Sequence, residues 1–565
     1  MPFRQRPEDH LGPLTTDAAV HDAVGQMVRQ FADALAFLRE LVQNSLDADA
    51  TAIEVLLDHY AHDGAPVLEV SVRDDGKGMD RETMERCLLV LFRSSKEGDP
   101  SRIGKFGVGF FSVFAAAPDL VTVESGTSPD ADAVRLLLRP DFTWEMEAAA
   151  PRKGTVVRVR IPLRDKRPGD LADACVERLR FWCGAVRVPL HARLHGIPGR
   201  DEALRIDAPH AIESPVQVRH ESRGALTLVG LSLAPRRRYL NRGLLIQSED
   251  GARDPEERGL AWLIDAPDLH HTISRDAVVR DAAFAARARV VRELAHGPLR
   301  DLALRRWRAS AARCAEARHR GGIDREHGET LAFLARALPQ SPLALAPGDL
   351  HWPLAEPHVD DGVAVTTRTL AQGFFRSRAF YTATTRGALT EALARRGEVV
   401  LDIAPTGDPE GDAAVRALLG RLVPGAEPGE RAWVLLRRVT RDDAQPLLDA
   451  LRPLALAIGL GGVLLCDPEG SGAERLWYSV PRGHDAARGD GLASVREDRP
   501  FAYKDGGVLL LRASHPDVQS SVAAARRDPR FAALALLRLA LLGAGALDAA
   551  NDDALFARYV QEAAR

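Results

Sequence analysis

The 565-residue sequence has few cysteines and lacks an apolar run of the roughly 20 residues that a membrane-spanning helix requires. Its five cysteines show no paired short spacing, which argues against a zinc site and a disulfide framework. Such cysteine usage is typical of a reducing cytoplasm. The first residues, MPFRQRPEDHLGPL, contain no apolar core like that of a signal peptide. We therefore expect a cytoplasmic protein that does not enter membranes.

The sequence also lacks a large excess of either charge. Its 75 basic and 79 acidic residues give a net charge of −4, so we expect no general attraction to nucleic acid or to anionic membranes. Lysine is scarce, because only six of the 75 basic residues are lysines. Three of these, Lys77, Lys96 and Lys105, lie close together in the sequence. A compact ammonium group suits phosphate as a point charge, although chance clustering is the alternative explanation.

Length and hydrophobic pattern indicate a multidomain α+β protein. A chain of 565 residues is too long for one hydrophobic core, so three or four domains are expected. Apolar residues at three- and four-residue intervals predict helix within 17–50, and alternation predicts a strand at 67–73. The segments DLVTVES, AVRLLLR and GTVVRVRIP predict further strands. The first 165 residues therefore indicate helices packed on one antiparallel sheet.

The rest of the chain is predicted to contain a second α/β region and a helical end. Residues 200–425 form the α/β region, which includes an Arg/Ala-rich helical stretch at 281–318. A helix is also predicted within 176–186, closing the first region. Near the end, RFAALALLRLALL (530–542) is apolar nearly all round. Thirteen residues are too few to span a membrane, so this helix is expected to be buried in protein.

A first motif, FLRELVQNSLDADA, places polar side chains on one face of a helix. Glu40, Asn44 and Asp47 stand at positions i, i+4 and i+7. A carboxylate and a carboxamide one turn apart could place a general base beside a metal-binding oxygen, as phosphate hydrolysis requires. Taken alone, such a pattern more often marks a solvated helix face.

A second motif, VRDDGKGM, follows the strand predicted at 67–73. Asp74 leaves the sheet where its carboxylate can accept a hydrogen bond from the amino group of adenine, whereas guanine presents an acceptor there. Gly76 and Gly78 allow the backbone to turn and to approach a base closely. Alone, Asp-Asp-Gly usually marks only a turn.

A third motif, RIGKFGVGFFSVFAAA, places Gly104, Gly107 and Gly109 before an apolar helical run. Backbone N–H groups at such a helix start can face phosphate. The motif is neither a P-loop nor a dinucleotide fingerprint, because no βαβ unit surrounds it.

Taken together and in this order, the three motifs resemble those of the Bergerat ATP-binding fold. Gyrase, histidine kinases, MutL and the heat-shock-protein-90 (HtpG) chaperones share that fold. Gly154-Thr155, which opens a predicted strand, matches the threonine that helps to hold adenine in the family. The resemblance implies an N-terminal α/β sandwich that binds ATP.

The phosphate loop and two later segments resemble the chaperone branch. GKFGVGFFS is similar to the chaperone loop, whereas MutL carries a Gly-Phe-Arg-Gly-Glu version and histidine kinases a Gly-Leu-Gly-Leu version. Residues 239–247 and 258–281 resemble the chaperones' middle domain, and the similarity is weaker over 282–565. The resemblance implies a Bergerat-fold domain at 1–195, an α/β middle domain at 196–430 and a mainly helical C-terminal dimerisation domain at 431–565.

The resemblance also implies roles for particular residues. Glu40 would activate the attacking water, and Asn44 would bind Mg²⁺ at the phosphates of ATP. Asp74 would bind adenine, with Met79 lining the base pocket, and Arg275 would reach the γ-phosphate from the middle domain. The alternative for Arg275 is an ordinary surface arginine. The remaining expected nucleotide-binding residues are Asp47, Gly78, Lys96, Gly104, Lys105, Phe106, Gly107, Val108, Gly109, Phe110 and Thr155.

The function that the resemblance implies is that of a homodimeric, ATP-driven chaperone, a slow ATPase that clamps unfolded or partly folded client proteins. Only 25 positions separate Met79 from Gly104, so the predicted ATP lid is shorter than is usual in the family. A MutL- or MORC-like ATPase of a nucleic-acid-associated or defence system is the main alternative. A nucleotide-binding scaffold with negligible turnover is a third.

Overall fold

The computed structural model describes most of the chain, in two compact units. The first unit ends at Leu299 and the second begins at Arg300. The domain boundaries predicted near 195 and 430 remain predictions. The structure describes residues 33–88, 109–272, 277–345, 349–358, 362–366, 380–395, 398–422, 426–428, 433–468, 475–480, 492–496 and 506–564.

The first unit begins with an eight-stranded sheet, in the order β5-β4-β3-β6-β2-β1-β7-β8. Neighbouring strands are antiparallel except β1 and β7, which run parallel. The strands predicted from alternation at 67–73, 119–125, 133–139 and 154–162 are confirmed as β2, β3, β4 and β6. The strands are β1 (Ile53–His62), β2 (Ala65–Asp74), β3 (Leu120–Ser128), β4 (Ala133–Leu138), β5 (Trp144–Ala149), β6 (Arg152–Pro162), β7 (Leu190–Ile197) and β8 (Arg200–Arg205).

Helices pack on this sheet through their apolar faces. Helix α1 spans Phe37–Asp47 and buries Phe37, Leu38 and Leu41, while α2 spans Arg81–Leu88. Helix α3 spans Pro168–Cys183, and it begins eight residues before the stretch predicted at 176–186 because Pro168 starts it. A 3₁₀ helix at Phe110–Ala116 packs against α1. Side chains of these helices and of the sheet form one continuous core.

A second sheet of the first unit has five strands, in the order β12-β11-β13-β10-β9. The helical stretch predicted at 281–318 is confirmed as two helices with a π-helical turn at Ala295–Leu299 between them. Pro298 lies in that turn, where its missing N–H cannot continue an α-helix. The elements of this part are β9 (Gln217–Ser222), β10 (Ala225–Leu231), β11 (Arg236–Asn241), β12 (Leu244–Asp250), β13 (Leu260–Asp265), a 3₁₀ turn (Pro255–Glu257) and α4 (Ala282–Leu294).

The turn between β11 and β12 is seated against the loop that follows α3. Gly243 has φ +83°, and a Cβ there would lie 2.1 Å from the carbonyl oxygen of Ala185, so only glycine fits. The Gly243 N–H donates to Oδ1 of the buried Asp265 at 3.0 Å, and Nε2 of His210 lies 3.0 Å from Oδ2. Burial would raise the pKa of Asp265, but the hydrogen bonds from His210 and Gly243 keep it below its usual value. These contacts position the β11–β12 turn beside α1.

The second unit starts with helix α5 and a sheet in the order β15-β14-β17-β16-β18. The Trp307 indole N–H donates to the carbonyl of His351 at 2.6 Å, which joins α5 to β14 inside the core. The elements are α5 (Arg300–His319), α6 (Arg325–Ala337), a 3₁₀ turn (Leu338–Gln340), β14 (His351–His358), β15 (Gly362–Thr366), β16 (Phe380–Ala383), α7 (Ala388–Arg395), β17 (Val400–Asp402), α8 (Pro409–Leu422) and β18 (Ala426–Pro428).

The last part of the second unit combines four helices with a five-stranded sheet in the order β21-β23-β20-β19-β22. The sequence analysis had predicted a mainly helical region with a helix at 530–542, and not this sheet. The elements are β19 (Trp433–Arg438), a 3₁₀ turn (Asp442–Ala444), α9 (Gln445–Ala457), β20 (Gly462–Pro468), β21 (Trp477–Val480), β22 (Leu492–Arg496), β23 (Val508–Arg512), α10 (Pro516–Ala525), α11 (Pro529–Gly543) and α12 (Ala549–Ala563).

The α+β class predicted from the sequence is confirmed, with a sheet-rich N-terminal region and helices concentrated in the C-terminal part. The helix predicted at 530–542 is confirmed as α11. In the described part of the chain, no helix combines the length and apolar character that crossing a membrane requires.

Candidate functional site

Asp74 lies at the end of β2, and its carboxylate is held by hydrogen bonds from three directions. Its Oδ1 accepts from the backbone N–H groups of Gly76 at 2.9 Å and Thr155 at 3.3 Å. Its Oδ2 lies 3.0 Å from the hydroxyl of Ser45 on α1, which can donate to it. Only 8% of Asp74 is exposed, so this acceptor is fixed in direction and partly shielded from water.

Close backbone approaches surround Asp74. Gly78 has φ +66°, and a Cβ there would lie 2.0 Å from the carbonyl oxygen of Gly126 on β3. Gly154 has φ +90°, and a Cβ there would lie 2.2 Å from the carbonyl oxygen of Asp74. Side chains are therefore excluded from both positions, and the loop after β2 lies directly on β3 and β6.

The loop after Asp74 is fixed on its outer side by the neighbouring carboxylate. Asp75 accepts from the backbone N–H groups of Thr51 at 2.7 Å and Ala52 at 3.0 Å, and also from the Thr51 hydroxyl. The hydrogen bond from the Thr51 side chain lowers the pKa of Asp75. The two adjacent aspartates thus differ, since Asp74 faces Ser45 and Thr155 whereas Asp75 holds the α1–β1 connection.

Helix α1, which carries Ser45 on its buried side, also carries the buried Glu40 and the exposed Asn44. Glu40 is only 2% exposed, and Nη2 of Arg39 lies 3.3 Å from its Oε1. The Arg39 guanidinium also lies over the ring of Trp182, 5.8 Å from the ring centroid. One turn later, the exposed Asn44 amide has no hydrogen-bond partner among the described residues. A buried carboxylate and an available carboxamide oxygen therefore stand one turn apart.

Ser125 on β3 connects the predicted base-pocket residues Met79 and Thr155. Its hydroxyl oxygen accepts from the Met79 N–H at 2.8 Å and lies 2.8 Å from the Thr155 hydroxyl oxygen. The carbonyl oxygen of Gly154 is farther from it, at 3.4 Å. Ser125 is fully buried, and among the described residues these three groups are its hydrogen-bond partners.

The 3₁₀ helix at Phe110–Ala116 places the end of the predicted phosphate loop beside α1. Phe110 is buried, and the Ser112 hydroxyl donates to the carbonyl of Gly109 at 2.6 Å. Seven predicted site residues lie outside the described residues, namely Lys96, Gly104, Lys105, Phe106, Gly107, Val108 and Arg275.

Asp47, at the end of α1, faces the second sheet of the same unit. Its Oδ1 lies 3.1 Å from Nη1 of Arg242 in the β11–β12 turn, and both side chains are more than half exposed. A cavity of about 200 Å³ opens beside this pair, and Gln43 of α1 and His271 lie in its wall. The predicted site on α1 therefore borders the segment that leads to residues 273–276.

The residues present fit an adenine nucleotide with a hard cation. Asp74 offers a fixed carboxylate acceptor, Thr155 donates its backbone N–H to that carboxylate and also carries a hydroxyl, and glycines at 78 and 154 let the backbone approach closely around Asp74. Asn44 offers a neutral oxygen, which suits Mg²⁺ because this ion keeps few protein ligands when phosphates complete its shell. Asp74, Gly78, Met79 and Thr155 are thus brought together, and Glu40 and Asn44 lie on the adjoining helix.

Three neighbours of the site were not identified from the sequence, namely Ser45, Ser125 and Arg242. Ser45 follows Asn44 directly in the first motif, and a polar residue on the buried side of α1 could have indicated it. Ser125 stands at a buried position of an alternating strand, where a lone serine has no distinguishing pattern. Arg242 is 195 residues from its partner Asp47, so no local pattern relates them.

Comparison with known proteins assigns the region to a family. Residues 32–139 match the family described as histidine kinase-, DNA gyrase B-, and HSP90-like ATPase. The chain is 31% identical over 190 residues to the chaperone protein HtpG of Mesorhizobium japonicum, which covers 28% of this chain and 29% of that protein. It is 34% identical over 147 residues to HtpG of Burkholderia cenocepacia, covering 21% and 23%.

A third relative, HtpG of a Polaromonas species, is 35% identical over 112 residues, covering 16% of this chain and 18% of that protein. The matched part thus spans less than a third of the length of each of these relatives. Residues 32–139 are similar to the ATPase domains of this family, and the similarity of the chain to the HtpG proteins is in line with the resemblance seen in the motifs.

Proposed function

We propose that this protein is an ATP-dependent molecular chaperone whose N-terminal domain binds ATP at Asp74 and hydrolyses it at Glu40. The observation that carries the proposal is the arrangement around Asp74. A buried carboxylate is fixed by Gly76 and Thr155 at the end of β2, beside a helix that presents Glu40 and Asn44. An acceptor for an amino group and a candidate base for water then lie in one site.

Each side chain has a separate task in the proposed reaction. Asp74 selects a base that offers an amino group, because a carboxylate only accepts hydrogen bonds. Glu40 takes a proton from the attacking water, and the Arg39 guanidinium lies 3.3 Å from its carboxylate oxygen. Asn44 provides an oxygen to Mg²⁺, and the bound cation would neutralise developing charge on the phosphates. Lys96 and the backbone of 104–110 are proposed to surround the phosphates.

Arg275 is proposed to stabilise charge on the γ-phosphate. Two described neighbours of residues 273–276 support this assignment. His271 lies in the wall of the cavity that Gln43 and Asp47 of α1 also line. The Thr272 N–H donates to the carbonyl of Ala277 at 2.9 Å, so the two ends of the stretch that holds Arg275 are close together.

Arg275→Ala is therefore expected to lower the ATP turnover rate by at least about tenfold, because an arginine that neutralises transferred charge acts mainly in the transition state. ADP affinity should change by less than about threefold, since ADP lacks the γ-phosphate. Steady-state ATPase assays and calorimetric titration with ADP measure the two effects. Arg258→Ala, which alters an exposed arginine outside the site, is the matched control. A wild-type rate for Arg275→Ala would remove Arg275 from the proposed mechanism.

The chaperone activity is proposed to need a homodimer joined through the C-terminal helices. Helix α11 buries Leu534, Leu536, Leu537 and Leu541 in its own unit, where they pack with side chains of α9 and β23. The sequence analysis expected this helix to be buried in protein. Only part of the α11 surface is available to a partner chain, since α11 completes a core of its own.

Apolar side chains nevertheless remain exposed on α11 and α12. Phe531, Leu539 and Leu542 of α11 are 59%, 41% and 64% exposed, and Phe556 and Val560 of α12 are 55% and 52% exposed. The two helices contact each other, and Nε of Arg538 lies 2.8 Å from Oδ1 of Asp552. We propose that these five residues, the C-terminal apolar surface, pair with the same surface of a second copy.

The double substitution Leu542→Glu and Phe556→Glu should convert a dimer to a monomer at micromolar concentration. Two new charges in each copy would have to be buried without partners at the interface. Sedimentation velocity measures the change. Leu233→Glu, at an exposed apolar position of the first unit, should leave the dimer intact. A wild-type protein that sediments as a monomer would contradict the proposed dimer.

The ATPase rate distinguishes the chaperone from its alternatives. Turnover is expected to change when an unfolded client protein is added and to stay constant when DNA is added. Scattering with a non-hydrolysable ATP analogue should show a more compact particle if ATP closes a clamp. Stimulation by DNA alone would favour a MutL- or MORC-like ATPase. Nucleotide binding without turnover would favour a scaffold.

A further inference from the structure

Ser125 sits at the centre of a hydrogen-bonded chain whose direction follows from the available protons, the distances and the burial of Ser125. A serine hydroxyl has one proton to donate and two lone pairs that accept. One lone pair takes the Met79 N–H at 2.8 Å. The proton must then go to Thr155, whose hydroxyl oxygen is 2.8 Å away, or to the carbonyl of Gly154 at 3.4 Å. If Thr155 donated to Ser125 instead, the proton of the fully buried Ser125 would be left with the distant Gly154 carbonyl, so donation from Ser125 to Thr155 is favoured.

The direction of this chain determines what Thr155 can offer to a ligand. If the Ser125 hydroxyl donates to Thr155, the Thr155 proton has no acceptor among the described residues, since Ser125 is the one partner of that hydroxyl there. The Thr155 hydroxyl then acts as a donor toward the space beside Asp74. Consecutive hydrogen bonds of one direction also strengthen each other by polarisation.

We infer that Ser125 is a specificity-determining positioning residue, which sets the Thr155 hydroxyl as a donor next to the Asp74 acceptor. An acceptor and a donor side by side match a 6-aminopurine, which presents an amino group and an adjacent ring nitrogen with a lone pair. A 6-oxopurine presents a carbonyl oxygen and a ring N–H, so it is mismatched at both positions. The inference rests on the proposed function, since it assumes that Asp74 and Thr155 face the base.

The close packing of the strands supports this role for Ser125. Ser125 pairs with Thr155 directly across β3 and β6, and its neighbour Gly126 pairs with Gly154. The loop after β2 is pressed onto this pair, since a Cβ at Gly78 would lie 2.0 Å from the Gly126 carbonyl oxygen. The Met79 N–H therefore has little freedom to leave Ser125, and the first donor of the chain is fixed.

The test compares ADP with inosine diphosphate, which differ only at the 6-position and the adjacent ring nitrogen. Calorimetric titration of the full chain should show that the wild-type protein prefers ADP by at least about tenfold. In Ser125→Ala this preference should fall by about tenfold, because Thr155 can then turn its proton elsewhere. Ser125→Thr keeps the hydroxyl and should keep the preference. Ser71→Ala, which removes a buried serine hydroxyl of β2 in the same sheet, is the matched control and should also keep it.

The outcomes separate the inference from the proposed function. If Ser125→Ala weakens ADP and inosine diphosphate by the same factor, Ser125 only supports the fold, and the inference is overturned. If Ser125→Ala does not fold, the wild-type protein decides with 1-deaza-ADP, which lacks the ring acceptor. Binding at least about fivefold weaker than that of ADP supports a Thr155 donor, and equal binding overturns it. A wild-type protein that binds neither ADP nor inosine diphosphate overturns the proposed function, and the inference with it.

Discussion

Replacement of Glu40 by alanine is expected to lower ATP hydrolysis by at least about a hundredfold, because a positioned general base contributes about 10²–10⁴-fold to the rate. The affinity for ATP should change by less than about threefold, since the proposed role of Glu40 is toward water and not toward the nucleotide. Glu40 is 2% exposed on α1, where removal of its side chain leaves Arg39 without the carboxylate 3.3 Å away. Single-turnover kinetics and calorimetric titration measure the two quantities separately.

Two further variants make the Glu40 experiment specific. Glu40→Gln keeps the side-chain volume and a hydrogen-bonding oxygen for Arg39, but it cannot act as a base, so it should lose activity as Glu40→Ala does. Glu54→Gln removes an exposed carboxylate on β1 and should hydrolyse ATP at the wild-type rate. Hydrolysis at the wild-type rate by Glu40→Gln would mean that another group activates the water.

The site elements predicted best are those whose chemistry follows from local sequence. Alternation of apolar residues predicted a strand at 67–73, and the structure extends it to Ala65–Asp74. The Asp-Asp-Gly sequence then predicted where the chain leaves the sheet, and Asp74 lies at that point. The face of α1 that carries Glu40 and Asn44 followed from the helical repeat alone.

Features that depend on distant parts of the chain could not be predicted in this way. The pairing of Ser125 with Thr155 needs the register between β3 and β6, which no short pattern specifies. The contact of Asp47 with Arg242 needs the β11–β12 turn to be seated beside α1. Both contacts join residues that are at least 30 positions apart in the sequence.

The C-terminal sheet was missed for a different reason. Its strands are short and apolar, as in VLLLR at Val508–Arg512, and a short apolar run does not distinguish a buried strand from part of a buried helix. The helix predicted at 176–186 begins earlier, at Pro168. At the first position of a helix a backbone N–H has no partner within the helix, so proline loses nothing by lacking one. Its fixed φ angle also favours helix initiation.

Replacement of Asp74 by asparagine is expected to weaken ATP and ADP binding by about a hundredfold, because the loss combines a charge-assisted hydrogen bond with a mismatched donor. The Asp74 carboxylate accepts from Gly76 N–H at 2.9 Å and Thr155 N–H at 3.3 Å on one oxygen, and the Ser45 hydroxyl lies 3.0 Å from the other. Asparagine has the same shape but only one accepting oxygen. If that oxygen stays with the two N–H groups, the amide NH₂ replaces the second oxygen, and an adenine amino group meets a donor.

The neighbouring aspartate provides the control for this prediction. Asp75→Asn removes the same charge one residue away, where Asp75 holds Thr51 and Ala52 on the outer side of the loop. It should lower the melting temperature by loosening the α1–β1 connection, yet leave the ADP dissociation constant within about threefold of the wild-type value. Titration with ADP and thermal unfolding followed by circular dichroism distinguish the two variants. Equal nucleotide affinity in Asp74→Asn and the wild-type protein would show that Asp74 does not contact the base, and the adenine site would have to be sought elsewhere in the chain.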